Sequence, residues 1–277
     1  MKGILFFDID GTLVNSHQTE KVAPDVQEAV RQAKENGYLC LLSTGRNIGG
    51  IEDYIDLMDG AVFCDGAGFL YEGQVFDLKP IREELLDELR HQVLDLYGGS
   101  LIMWGNYDFY ADDRQYEEWS ALAEKRQKER GEDAEEDMVQ KRMKRLNAWN
   151  HDPITELDIF LPDEETEKRF MESLNPDLSY ISTSASYGRD GKTCGEVTAA
   201  GCSKGNGAAA AAERFGIYIR DTYAFGDSMN DASIIQACGT GIVMGNGAEE
   251  LKAMADYVTD DINDHGLINA MKHFGII

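Results

Sequence analysis

At 277 residues the chain can bury one large core or two modest ones, and 43% hydrophobic content is ordinary for a globular protein. Its 51 acidic and 26 basic residues leave a formal net charge of −25, which disfavours nucleic acid and anionic membrane, both of which need a positive footprint. Nothing approaches the roughly 18 apolar residues of a membrane span, no signal pattern opens the sequence, and the five cysteines lack metal-binding spacing; a cytoplasmic protein with reduced thiols is expected.

Residues 4–7 form a continuous apolar run, the pattern of a strand buried on both faces, and then stop at Asp8-Ile9-Asp10-Gly11-Thr12. Strand side chains two apart lean the same way, so Asp8 and Asp10 stand together; one is protonated or a cation lies between them. Residues 24–36 place Val26, Ala29, Val30 and Ala33 at helical spacing, with Pro24 suited to the first turn and Gly37 to the C-terminal cap. A second buried strand, 39–42, ends in Ser43-Thr44-Gly45. After a helix-like stretch to Asp56 comes a third strand over 61–71. This alternation predicts a parallel sheet with right-handed crossovers.

The pattern changes near Pro80. Residues 82–97 read as an amphipathic helix and 100–111 as an aromatic-rich strand. The charge-crowded stretch 112–147 reads as solvated helices with a flexible, acidic middle. A strand over 156–162, a helix over 163–174 and a strand over 178–187 follow. None ends in a carboxylate cluster, which predicts a separate α+β domain at 82–187, inserted into a core of 1–81 and 188–277. The first pattern then resumes with a short strand over 196–200. Ser203 can cap an alanine-rich helix ending before Gly216, with Lys204 at its N-terminus. A further strand carries Asp227, Asn230 and Asp231 at its end, a helix runs through Cys238, and short strands fall at 241–244 and 257–259.

Four strand ends thus carry polar groups, and in a parallel sheet they share one edge. Several carboxylates without Cys or His make a hard oxygen site suited to Mg²⁺. One lysine at a helix N-terminus attracts phosphate, and the Thr44 hydroxyl and Gly45 N–H can hold its oxygens. By its parts this is a phosphoryl-transfer site. An ionised aspartate can attack phosphorus, and an acid two residues on can protonate the leaving oxygen and then activate water.

DIDGT (8–12), STGR (43–46), SKGNG (203–207) and GDSMND (226–231), in this order, resemble the four motifs of haloacid dehalogenase (HAD) superfamily phosphatases. The insertion between the second and third motifs, with MGNG (244–247), resembles the Cof-type (class IIB cap) subgroup. The resemblance implies a Rossmann-like α/β core with an inserted α+β cap. It also implies a Mg²⁺-dependent phosphomonoesterase acting on small phosphorylated metabolites, such as sugar phosphates or phosphorylated cofactors. By it, Asp8 is the nucleophile and Asp10 the general acid/base. The Ile9 N–H, Thr44, Gly45, Lys204 and Asn230 would bind phosphate. Asp8, the Asp10 carbonyl and Asp227 would ligate Mg²⁺, with Asp231 supporting them from behind. The alternatives are a phosphomutase using the same nucleophile and a non-enzymatic phosphoacceptor or binding protein. Neither substrate identity nor oligomeric state follows from the sequence.

Overall fold

The strand β1 (Gly3–Phe7) is buried at every residue and forms the centre of the first sheet, as a run of branched and aromatic side chains without polar interruption requires. It is seen in a computed structural model that describes residues 1–16, 18, 21–130, 138–183 and 192–277. The chain divides into two units: Met1–Arg46, Ile51–Leu78 and Cys202–Ile277 make the first, and Asn47–Gly50 with Lys79–Gly201 the second.

After β1 the helix Pro24–Glu35 begins with proline in its first turn, turns Ala29, Val30 and Ala33 inward, and is followed by Gly37 at φ 93°. It leads to β2 (Tyr38–Ser43), which lies parallel to β1. Next come β3 (Gly60–Phe63), β4 (Gly68–Tyr71) and β5 (Gln74–Phe76). Here the structure departs from the single strand expected over 61–71. Cys64, Asp65 and Gly66 all take positive φ and reverse the chain, so β4 returns antiparallel to β3. Apolar residues on both sides of the turn hide it from a periodicity reading.

The second unit holds β6 (Ser100–Gly105), β7 (Phe109–Ala111), β8 (Met143–Arg145), β9 (Ile154–Leu161), β10 (Leu178–Ser182) and β11 (Thr193–Ala199), in the order β10-β11-β9-β6-β7-β8. The run expected as one strand over 100–111 is a hairpin of β6 and β7. The helices Glu83–Arg90 and Glu164–Ser173 carry Leu85, Leu86, Leu89 and Phe170 into one core beneath this sheet. The helix Asp113–Arg130 contributes Ala123 to a second core with Ile102 and Phe109. The acidic middle expected within 112–147 falls partly on 131–137, and the end of the strand expected over 178–187 falls on 184–187; both lie outside the described residues.

β11 belongs to this sheet, paired with β9 and β10, and the second unit runs to Gly201. The sequence reading assigned the strand over 196–200 to the core and began the core again at 188. A short strand before a glycine looks the same in either sheet; only pairing assigns it. The short segment Asn47–Gly50 also packs with the second unit, where Asn47 Nδ2 donates to the Gly105 carbonyl at 2.8 Å.

Back in the first unit, β12 (Thr222–Gly226), β13 (Thr240–Val243) and β14 (Tyr257–Val258) complete a sheet of order β14-β13-β12-β1-β2-β3-β4-β5. β1 pairs in parallel with β2 on one side and β12 on the other, Leu5 lying opposite Cys40 and Tyr223. The chain therefore leaves β1 towards one side of the sheet and later returns to the other. At such a reversal the strand ends open a crevice at the carboxyl edge. No helix among the described residues is long and apolar enough to cross a membrane.

Candidate active site

Asp8 follows β1 directly, and its N–H continues the sheet ladder by donating to the Phe225 carbonyl at 3.0 Å. The chain then turns on the Ile9 carbonyl, which accepts from the N–H groups of Thr12, Leu13 and Val14. Gly11, at φ 85°, is required twice over: a Cβ there would lie 2.2 Å from Asp227 Oδ2. This contact draws Asp227, at the end of β12, against the first loop.

Lys204 opens the helix Lys204–Arg214, whose N-cap Ser203 accepts from the Asn206 N–H at 3.1 Å. The Lys204 side chain is fully buried. Its Nζ donates to Asp8 Oδ1 at 2.8 Å and to Asp231 Oδ1 at 2.6 Å. The other Asp231 oxygen accepts from the N–H groups of Asp227 and Ser228 at 3.0 and 3.2 Å, and Asp231 is itself wholly buried. Asp231 thus ties the lysine to the loop carrying Asp227.

Burial, then the Asp231 charge, pushes Asp8 well above the usual carboxylate range, against the downward pull of Lys204. Burial and Asp231 raise Asp227 to about 7. Burial alone would depress Lys204, but Asp231, Asp8 and Asp65 outweigh it and hold the ammonium firmly charged. Three acids around one ammonium leave excess negative charge that a bound cation would neutralise.

Asp8, Asp227 and Asp231 each offer an oxygen within 4.8 Å of the others, so this group can hold a metal ion. Asp231 already spends its oxygens on Lys204 and two N–H groups. Asp227 Oδ1, by contrast, is buried without a hydrogen-bond partner. A hard, all-oxygen donor set with one orphaned carboxylate oxygen fits a divalent cation such as Mg²⁺.

Thr44 is buried at the end of β2; its Oγ1 accepts from the Arg46 N–H at 3.1 Å, leaving the hydroxyl proton to donate. Gly45 lies beside the Asp65 carboxylate. Asn230 is exposed, its Oδ1 accepting from Ser228 Oγ at 2.6 Å. The structure thus bonds Asp8, Lys204 and Asp231 directly and brings Asp227 to them, while Thr44 and Gly45 stand at the neighbouring strand end.

Three contributors escaped the sequence reading. Arg46 Nε and Nη2 grip Asp10 Oδ2 and Oδ1 at 2.9 and 2.7 Å, so the carboxylate is held by a two-pronged pair. Asn246, inside MGNG, donates to the Gly11 carbonyl at 2.9 Å and accepts from the Ile262 N–H at 2.9 Å, which ties the first loop down. Asp65 stands in the reversal after β3. Only MGNG carried a signal, and it named a subgroup rather than a contact.

The family model for haloacid dehalogenase-like hydrolases matches residues 5–271, and the chain belongs to that family. Phosphatase YwpJ of Bacillus subtilis (strain 168) is 29% identical, over 98% of this chain and 99% of its own length. Among solved structures, the HAD subclass IIB sugar phosphatase BT4131 is 28% identical with a TM-score of 0.73, covering 99% of this chain and all 100% of its own. A protein of Geobacillus kaustophilus HTA426 is 25% identical with a TM-score of 0.80, with 100% of both chains covered. Within the family the chain is a Cof-type phosphatase, with the parallel-sheet core and inserted cap of that group.

Proposed function

We propose that the chain is a Mg²⁺-dependent phosphomonoesterase working through an aspartyl-phosphate on Asp8, with small phosphorylated metabolites, sugar phosphates among them, as substrates. The observation that carries this reading is the fully buried Lys204 bonded to both Asp8 and Asp231, beside the orphaned Asp227 oxygen. Likeness to a sugar phosphatase over the whole chain supports the substrate class.

Asp8, the Asp10 carbonyl and Asp227 would hold Mg²⁺, with Asp231 bracing them. The ion supplies charge neutralisation for the transferring phosphoryl group and keeps the neighbouring carboxylates ionised. The Thr44 hydroxyl, the N–H groups of Gly45 and Ile9, Lys204 and Asn230 would bind the phosphate oxygens. An Asp8 oxygen attacks phosphorus, the ester P–O bond breaks, and the leaving alkoxide takes a proton from Asp10. Water then gives a proton to Asp10 and attacks phosphorus, the Asp8–phosphorus bond breaks, and inorganic phosphate leaves. The two-pronged Arg46 contact suits the ionised Asp10 of the second step.

Phosphate release from p-nitrophenyl phosphate and a panel of sugar and cofactor phosphates tests the reading, run with Mg²⁺, with EDTA and with Asp8→Asn. Release that requires the metal and vanishes with the substitution is the expected result. A folded, Mg²⁺-loaded protein that releases phosphate from none of them overturns it. Isomerised product without free phosphate would point instead to a mutase.

A further inference from the structure

Four residues leave the first unit directly after the second motif and return to it at Ile51: Asn47–Gly50 packs with the second unit. What holds them there is specific. Asn47 is 1% exposed and uses both ends of its amide. Its Oδ1 accepts from the Gly50 N–H at 2.9 Å, a local cap over the short turn Ile48–Gly50 that serine or aspartate could also supply. Its Nδ2 donates to the Gly105 carbonyl at 2.8 Å, at the end of β6. Serine has one oxygen for both tasks and aspartate has no donor; asparagine meets the two partners with separate atoms.

The segment's backbone fits the same β6–β7 turn. The Gly49 N–H donates to the Asn106 carbonyl at 3.2 Å, and a Cβ on Gly49 would lie 2.3 Å from the Tyr107 carbonyl, so this approach requires glycine. At its other end the segment is one peptide bond from Arg46. The Arg46 guanidinium holds Asp10 with Nε and Nη2 at 2.9 and 2.7 Å, and it lies over the Tyr54 ring, 5.4 Å from the centroid. The two residues share a rigid peptide plane, so a shift at Asn47 turns the backbone from which the guanidinium is aimed.

We infer that Asn47 is a positioning residue for the general acid/base: by pinning Asn47–Gly50 to the β6–β7 turn, it aims the Arg46 guanidinium at Asp10. The inference rests on the phosphatase reading above. A two-pronged pair tolerates little rotation, since both N–H groups must meet both oxygens at once. When Asn47 lets go, Asp10 is held by one bond or none, and it is less often in line to deliver a proton to the leaving oxygen. An ester whose leaving group needs no proton is spared.

Asn47→Ser keeps the cap over Ile48–Gly50 and gives up the bond to Gly105. Phenyl phosphate and p-nitrophenyl phosphate, esters of similar size, differ in how much the departing oxygen needs a proton. In the variant, kcat/KM for phenyl phosphate falls about tenfold and for p-nitrophenyl phosphate less than about threefold. On an Arg46→Lys background the same substitution costs less than about twofold further, because Asn47 acts through Arg46. Arginine-selective nitrogen NMR reads the Arg46 Nε–H without any turnover, and its exchange with solvent quickens severalfold in the variant. Should Asn47→Ser not fold, Gly49→Ala, which pushes the segment off the Tyr107 carbonyl, gives the same two readings. Equal change on the two esters, an undiminished loss on the Arg46→Lys background, or an unmoved Arg46 Nε–H overturns the inference. If the wild-type protein releases phosphate from neither ester, the phosphatase reading falls and the Arg46 Nε–H alone decides what Asn47 holds.

Discussion

Among the described residues two groups of three acids crowd together, and a buried lysine joins only one of them. Asp8, Asp227 and Asp231 converge from the loop after β1 and the loop after β12; Glu156, Asp158 and Glu196 lie on the paired strands β9 and β11. Each group brings its oxygens within 4.8 Å. The first is bridged by a fully buried lysine and stands at the carboxyl edge of a parallel sheet. The second stands mid-strand on the antiparallel pair β9 and β11, where Asp158 accepts the Trp104 indole N–H at 2.8 Å. Proximity of carboxylates is common to both. What distinguishes the first is a fixed cation and strand ends that leave room for a ligand.

The sharpest break in that comparison is Asp8→Asn. A carboxamide cannot attack phosphorus, so phosphate release falls by about ten-thousand-fold or more, while circular dichroism shows the fold intact. The equivalent change at Asp158 leaves turnover within a few-fold in the same assay.

Lys204→Met comes next. Removing the buried ammonium leaves Asp8 and Asp231 facing each other without compensation. The expected cost is about 3 kcal/mol in urea unfolding without metal, and about a hundredfold in kcat. A variant as stable and active as wild type would show that the lysine only fills space.

The second group should declare itself in stability rather than in rate. Burial raises Asp158 to about 6, against the lowering effect of the Trp104 hydrogen bond. Its folded value lies above its unfolded one, so the folded state binds the extra proton between them. The stabilisation is complete below about pH 4 and is lost as pH rises through about 6, on the order of 3 kcal/mol. Asp158→Asn removes that part of the slope in unfolding curves taken at pH 4 and pH 7. An unchanged slope would mean that Asp158 is ionised at no cost.

Asn246→Ala is the mildest. It frees the Gly11 carbonyl and the Ile262 N–H of the side chain joining them, at about 1 kcal/mol, and lowers kcat severalfold by loosening the loop after β1. Enhanced amide exchange at Ile262 would mark the loss directly.

Much of this site was legible in the chain because its chemistry is written in local patterns. A buried apolar run ending in DIDGT, and another ending in STGR, put their polar residues at strand ends whatever the strands pair with. Lys204 was legible because serine caps a helix in a way that fixes the next residue at its N-terminus. Asp231 was assigned a supporting place, and it spends both its oxygens on Lys204 and neighbouring N–H groups. Arg46, Asn246 and Asp65 were not legible as contacts. Each acts through a partner distant in sequence, Arg46 on Asp10 and Asn246 on Gly11, and no spacing rule spans such a distance.

The sequence by itself marked the buried strands of the core, the polar residues at their ends and the alternation of those strands with helices. Burial patterns and caps act over a few residues, and those are the distances a sequence displays. Tertiary structure alone decided which sheet receives Thr193–Ala199, where the run over 61–71 folds back, and which carboxylate oxygen is left without a partner. Those outcomes depend on strand pairing and on who reaches whom across the sheet, where long-range packing chooses among alternatives that look alike locally.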